Sequence, residues 1–337
     1  MSSNSNDELK PYIFSPEKRV NSALSMLEDR ANSKISPILT GMPSHIVEKL
    51  VPWMPGDLIG ILGYTSNGKT SLMNYITDQH AKYIHSKGPD YNHIVLRFSW
   101  ENSIEELTAV DLGRVTGVSV GKLFSGNLKR EDYDKVTING AELVKAMPVW
   151  LVGNSLQEIK RRKIMTMDEV FDVVDIMQSS GFIIDFILLD YLQRIKRRKL
   201  TDLRESFMDI VDDAKTLSFQ VPTILASQAK RDVLLRPDQQ PELPDSQETS
   251  NYEQACTHMY SVWKIIQKYA EGKTFHFRDL YYTVYDKLYS LKALKQTMGS
   301  APLRWLLEVG YGGTYIKDVP QNMISTKPPK DNTDGKI

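Results

Sequence analysis

Apolar residues follow two rhythms along the chain. Leu58-Ile59-Gly60-Ile61-Leu62, Val149-Trp150-Leu151-Val152 and Phe186-Ile187-Leu188-Leu189 are nearly unbroken apolar runs, and His93–Ser99 and Pro222–Ala226 are close to it. Strands that are apolar at every position, rather than every second one, are expected to be buried on both faces. Between them, apolar residues fall at helical spacing from about Gly68, over 103–115, over Met167–Ser179 with Gly181 closing the turn, and over 206–217. Strands separated by helices predict an α/β fold: a mostly parallel, twisted, doubly wound sheet with helices on both faces.

The grain changes after Gln228. Residues 236–250 hold three prolines among polar residues and predict a long loop, a place where function concentrates. An apolar stretch, Met259–Ile266, follows, and then a series of tyrosines (Tyr281, Tyr282, Tyr285, Tyr289) for which packing is the better reading than stacking on bases. Leu288–Leu294 and Arg304–Val309 read as strands joined by Gln296–Pro302 into an antiparallel hairpin. At the other end, Ser15-Pro16-Glu17 is a helix start, and Val20, Leu24 and Leu27 form its apolar stripe. So short a helix needs a partner for that stripe, either its own core or a neighbour. The expected organisation is a disordered N-terminus over 1–14, a helix and connection over 15–50, one large α/β domain over 51–316, and a disordered tail over 317–337.

Composition narrows the classes. The 337 residues carry 42 Lys+Arg against 42 Asp+Glu, which excludes a globally basic coat for nucleic acid but not a local basic groove. One cysteine, Cys256, excludes a disulfide framework and suits a reducing, cytoplasmic setting. The longest apolar run, Phe182–Leu192, contains Asp185 and Asp190 and is shorter than the ~20 residues of a membrane helix, so no membrane is expected.

Gly63-Tyr64-Thr65-Ser66-Asn67-Gly68-Lys69-Thr70 fits G-x-x-x-x-G-K-[ST], directly after a strand and before a helix. Glycines let backbone N–H groups turn toward phosphate oxygens, and the helix N-terminus adds its dipole. Lys69 would reach the β- and γ-phosphates of ATP and the Thr70 hydroxyl would bind Mg²⁺, with Gly63, Thr65, Ser66, Asn67, Gly68 and Ser71 completing the cradle. A second metal oxygen is expected from Asp190, at the C-terminal end of the 186–189 strand, where open α/β sheets bind ligands. Glu101, just past the second strand, either polarises the attacking water or begins the next helix as a first-turn acid. Gln228, at the end of the fifth strand, can sense the γ-phosphate or simply form a turn.

Taken in order, the blocks GDLIGILGYTSNGKTS, VLRFSWENSIEEL, FILLDYLQRI, VPTILASQAKR and DSQETSNYEQA resemble the RecA-fold ATPase domain of the DnaB-like replicative helicases over roughly residues 45–316. The resemblance implies a ring, usually hexameric, with ATP between subunits, channel loops around single-stranded DNA, and a helicase loader or other replication proteins as partners. It also implies that Glu101 is the catalytic carboxylate, that Gln228 couples hydrolysis to movement, that Gln247, Glu248 and Ser250 belong to the DNA loop, and that the helix at 15–32 is a linker docking on the next subunit.

Three features depart from that pattern. The family's N-terminal helical domain has no counterpart in residues 1–50, so its primase-binding and collar roles do not carry over. The family's hairpin carries a Lys-x-Arg pair that reaches into the neighbour's active site; here it reads Lys295-Gln296-Thr297, keeping the lysine and losing the arginine, which implies slower hydrolysis or a substitute such as Arg304. The DNA loop has Gln247 where the family has arginine, and the cation run Arg194-Ile195-Lys196-Arg197-Arg198-Lys199 would compensate if it faces the channel. Arg161-Arg162-Lys163 has a weaker claim. The alternatives are a recombinase-like filament or clock-type ring of the same fold, and a slow nucleotide-dependent platform from a phage, mobile element or defence system.

Overall fold

The structure, a computed structural model, describes residues 13–32, 38, 40–157, 162–198, 202–236, 239–246 and 250–328. It divides into one unit over 1–37 and another over 38–337. The first contains helix α1 (Pro16–Ala31), whose start matches the sequence signal: Ser15 Oγ accepts a 3.1 Å hydrogen bond from the Lys18 N–H. Its stripe of Val20, Leu24 and Leu27 is exposed.

Among its described residues, the second unit is built on a nine-stranded sheet in the order β11-β10-β9-β6-β1-β5-β4-β2-β3. These are β1 (Leu58–Gly63), β2 (His93–Ser103), β3 (Val149–Asn154), β4 (Ile183–Asp190), β5 (Thr223–Gln228), β6 (His258–Lys264), β9 (Leu288–Gln296), β10 (Leu303–Val309) and β11 (Ile316–Asp318). From β3 to β6 all pairings are parallel, and from β6 to β11 they are antiparallel. The expected parallel sheet and antiparallel hairpin are both present, and the 259–266 stretch supplies a sixth parallel strand. The main helices are α2 (Lys69–Ser86), α3 (Ile104–Thr116), α4 (Met167–Ser179), α5 (Leu203–Gln220) and the short α6 (Ser250–Ala255).

Alternate residues of the central strands feed two cores. Leu58, Leu62, Phe98, Ile187, Leu189 and Leu225 meet Val170, Val174, Phe207 and Val211 of α4 and α5. Ile59, Ile61, Val95, Phe186, Leu188 and Ile224 meet Leu72, Met73 and Ile76 of α2. Two-sided burial is therefore what the unbroken apolar runs encode. Strand β3 is the exception: it is the sheet edge, and Trp150 is 45% exposed although it tilts against Phe182 at 5.0 Å between ring centroids.

One further expectation is corrected. Residues 317–328 are not a frayed tail: β11 extends the sheet, Val319 is buried, and β12 (Ile324–Ser325) pairs with β8 (Leu280–Thr283), which pairs with β7 (Thr274–Phe277). Ile316, Val319 and Ile324 are spaced among polar residues and cover apolar clusters, too sparse a pattern to read as a strand beforehand. Residues 120–146, given no structure from sequence, form short helices including a π-helical turn at Lys135–Gly140, anchored by Val120 and Val136.

Phe186 is fully buried at the centre of the second core. Phe186→Ala is expected to lower unfolding free energy by about 3–5 kcal/mol, read from urea denaturation; a change within experimental error would contradict this core assignment.

Candidate nucleotide site

The parallel order brings the C-terminal ends of β1, β5, β4 and β2 to one edge, where a cavity of about 430 Å³ opens. Gly68 caps α2 with φ +92°, a conformation L side chains rarely adopt. A Cβ there would also lie 2.6 Å from Tyr289 Cε1, so glycine is required twice over. Thr65, Ser66, Gly68, Thr70 and Ser71 line the cavity. Asn67 does another job: its Oδ1 accepts 2.9 Å from the Lys264 N–H, stapling the loop to β6. Gly63 likewise backs the loop, where a Cβ would crowd Val262 O at 3.0 Å.

Lys69 is 9% exposed, and its Nζ donates to the carbonyls of Gly63 at 2.7 Å and Tyr64 at 2.9 Å. Burial brings its pKa down to about 8, with Asp190 and Glu101 pulling the other way. Asp190 ends β4 opposite Ser99 of β2 and is buried. Burial pushes its carboxyl up, Arg97 and Lys69 oppose the rise, and Glu101 adds to it. Thr70 and Asp190 line the same cavity and offer two hard oxygen donors. That set fits Mg²⁺, which keeps waters and substrate phosphates as its other ligands. Among the described residues no group of three or more His, Cys, Asp or Glu forms a metal cage, so the phosphates would have to complete the coordination.

Local hydrogen bonding removes Glu101 from the first turn of α3. Strand β2 runs on to Ser103, whose Oγ accepts 3.1 Å from the Glu106 N–H while Glu106 accepts 2.8 Å from the Ser103 N–H. That capping box occupies Glu106 and leaves Glu101 exposed on the cavity wall. Gln228 Nε2 donates 3.0 Å to Thr65 Oγ1, and its N–H donates 3.3 Å to Gln193 Oε1. Gln193 Nε2 donates 3.2 Å to Ser227 Oγ, which shares a 3.2 Å hydrogen bond with Ser246 Oγ.

Other predicted residues lie elsewhere. Lys295 is outside this cavity; its Nζ donates to the Glu253 and Gln254 carbonyls at 2.8 and 3.3 Å, at the end of α6. Arg304, the suggested substitute, is held by Ser290 Oγ at 2.8 Å and stacks over Trp263, Phe275 and Phe277. Of the cation run, Arg194 and Lys196 are exposed and Arg197 is half-buried. Arg198 is removed from the run's free charges: it forms a two-pronged pair with Asp168, 2.7 Å at Nε, and bonds Asp213 at 2.8 Å. Lys163 pairs with Glu169 at 2.7 Å, and Arg162 donates to Trp100 O. Lys199, Arg161, Gln247 and Glu248 lie outside the described residues, and Ser250 begins α6.

Sequence reasoning missed the far wall: Asn74, Lys264, Asp286, Lys287, Tyr289 and the turn Tyr311–Gly313. Tyr311 is 73% exposed over the cavity, and Asn74 Nδ2 donates 3.1 Å to Gly312 O. The paired glycines after β10 were the one signal available. Cys256 is buried, and its thiol pKa is pushed up to about 12 by that burial, so it stays protonated and takes no part.

The sequence pattern of the DnaB-like helicase C terminal domain matches residues 40–283. The chain belongs to this family. It is 25% identical over 238 residues to the replicative DNA helicase DnaB of Buchnera aphidicola subsp. Schizaphis graminum, covering 69% of this chain and 47% of that protein. It is 27% identical over 229 residues to the replicative DNA helicase DnaC of Bacillus subtilis, covering 64% and 45%. The chain thus spans about half the length of the relatives it matches. Among solved structures, an isolated ATPase domain superposes with a TM-score of 0.71 at 15% identity, covering 89% of this chain and 99% of that one. A DnaB-like replicative helicase, solved in a study of its interactions with primase, gives 0.69 at 14%, covering 89% and 66%. The fold is therefore that of the DnaB-like, RecA-type ATPase domains.

In this DnaB-like domain Gly68→Ala must move Tyr289 and strain the loop. It is expected to weaken binding of a fluorescent ATP analogue by about tenfold or more, and unchanged affinity would overturn the glycine argument.

Proposed function

We propose that this chain is an ATP-driven motor that forms a ring, usually hexameric in this family, around single-stranded DNA and acts as a DnaB-like helicase or translocase in replication. The observation that carries the reading is one cavity lined by Lys69, Thr70, Asp190, Glu101 and Gln228 at the ends of four neighbouring parallel strands. Lys69 grips the phosphates, Thr70 and Asp190 hold Mg²⁺, Glu101 orients water, and Gln228 reports the γ-phosphate. Tyr311, open over the cavity, is suited to stack on the adenine ring.

Lys295 acts, in this reading, on a neighbour's nucleotide, since it does not line its own. That makes the homo-oligomer part of the enzyme. Arg194, Lys196 and Arg197 attract the DNA backbone, and Gln247, Glu248 and Ser250 lie along it as neutral or backbone contacts; Arg198 is left out because two carboxylates already hold it. A helicase loader or other replication proteins are the partners that relatives named as replicative helicases suggest, and the cytoplasm is where this reading puts the motor to work. No described helix is long and apolar enough to cross a membrane.

The deciding experiment is ATP turnover with and without single-stranded DNA, alongside displacement of a strand from a forked duplex. Wild type is expected to be stimulated by DNA, and Lys69→Ala to lose about a hundredfold or more of its turnover together with all unwinding. Turnover indifferent to DNA, with no displacement at any salt, would sink the motor. Thr297 stands where the family has its trans-acting arginine, and its Oγ1 donates 2.9 Å to Thr257 O in its own chain. Thr297→Arg is expected to raise DNA-stimulated kcat by about tenfold or more; an unchanged or lower kcat in an assembled ring would show that the hairpin position is not the trans site.

A further inference from the structure

Arg97 is a buried cation that the phosphate motif does not account for. It lies on β2, two positions before Ser99, the residue paired with Asp190, and its side chain is 3% exposed. Nη1 donates 2.6 Å to Asn74 Oδ1 on α2, the helix that carries Lys69 and Thr70. Nη2 stands 3.8 Å from Asp190 Oδ2, within reach of an ion pair but beyond a hydrogen bond, and neither Nη2 nor Nε has a hydrogen-bond partner among the described residues. The nearby Asp78 and Asp111 are held by Arg114 at 2.9 and 2.7 Å; Arg97 also acts on Asp111 from a distance, and Asp190 is the carboxylate within ion-pair reach of it.

A guanidinium kept out of water is costly unless its charge is used. Here the use follows from the local charge balance. Lys69 and Arg97 bring two positive charges, and Asp190 and Glu101 bring two negative ones. A bare divalent cation approaching Asp190 meets two cations already in place, with Lys264, Asp286 and Lys287 farther off on the opposite wall. A cation carried by a triphosphate brings its own negative charge.

We propose that Arg97 is a positioning residue that balances Asp190, so that the metal site admits a divalent cation only together with a triphosphate. The inference rests on the ATPase reading above. Asn74 extends the same brace to the cavity wall through Gly312, which fixes where the guanidinium sits. Without Arg97, the carboxylates of Asp190 and Glu101 face Lys69 alone at the metal position, and a free cation becomes a better ligand there.

The test is titration of the purified chain with Mn²⁺, followed by the paramagnetic resonance signal of the free ion, with and without a non-hydrolysable ATP analogue. Wild type is expected to take up Mn²⁺ strongly only with the analogue. Arg97→Met is expected to tighten nucleotide-free Mn²⁺ binding on the order of tenfold or more, and adding Asp190→Asn to it removes the gain. Arg97→Lys, which keeps the charge, is expected to behave as wild type, a rescue that a purely structural role does not predict. If Arg97→Met does not fold, Arg97→Gln, which keeps an amide donor for Asn74, is compared in its place. A folded charge-removing variant with wild-type affinity for Mn²⁺ in the absence of nucleotide overturns the proposal. Wild type that takes up Mn²⁺ neither alone nor with the analogue overturns the nucleotide reading itself, and this inference with it.

Discussion

The site depends on an ammonium kept out of water. Lys69 is buried against the carbonyls of its own loop, and a lone buried charge of that kind would shed its proton or find a partner. Its partners come from other strands: Asp190 from β4 and Glu101 from β2. None of these is near Lys69 in sequence. They meet because parallel pairing puts every strand's C-terminal end on one edge, and because β5 alone separates the loop strand from β4. Gln228 ends that intervening strand, which is why an amide there touches Thr65 on one side and Gln193 on the other.

What could be read from the sequence follows from which forces are local. Strands β1, β2, β4 and β5 were legible because burial on both faces demands an apolar residue at every position. The same logic misread β3, whose apolar run lies on an exposed edge and is only partly covered. The start of α3 did not by itself place Glu101: the capping box at Ser103 and Glu106, seen in the hydrogen bonding, is what separates Glu101 from the helix. Arg198 was not legible, because the carboxylates that neutralise it, Asp168 and Asp213, come from two separate helices. Arg97 was hidden differently: within HIVLRFS it breaks an apolar rhythm by a single residue, and nothing local says that a carboxylate waits on the next strand.

How a bond broken at the cavity could move a distant loop is a question of stiffness. Two routes leave the phosphate loop toward residues 244–246. In one, Thr65 bonds Gln228, whose neighbour Ser227 bonds Ser246. In the other, Tyr64 Oη donates 3.0 Å to Lys230 O, while the Lys230 N–H donates 2.8 Å to Asp245 O and its Nζ donates 2.9 Å to Pro244 O. Ala229 and Ser246 form a β-bridge between them. Ser227 and Ser246 are buried, so breaking their hydrogen bond would leave polar groups unsatisfied away from water, which costs about 1–3 kcal/mol each. Moving the segment as a body costs less than tearing it loose. Under the proposed function, a displacement of Thr65 or Gln228 would be passed to Ser246 rather than absorbed, and Ser246 directly precedes the stretch that the proposal gives to DNA. Coupling of this kind would be carried by position, not by charge, so in that proposal it would not depend on an arginine at Gln247.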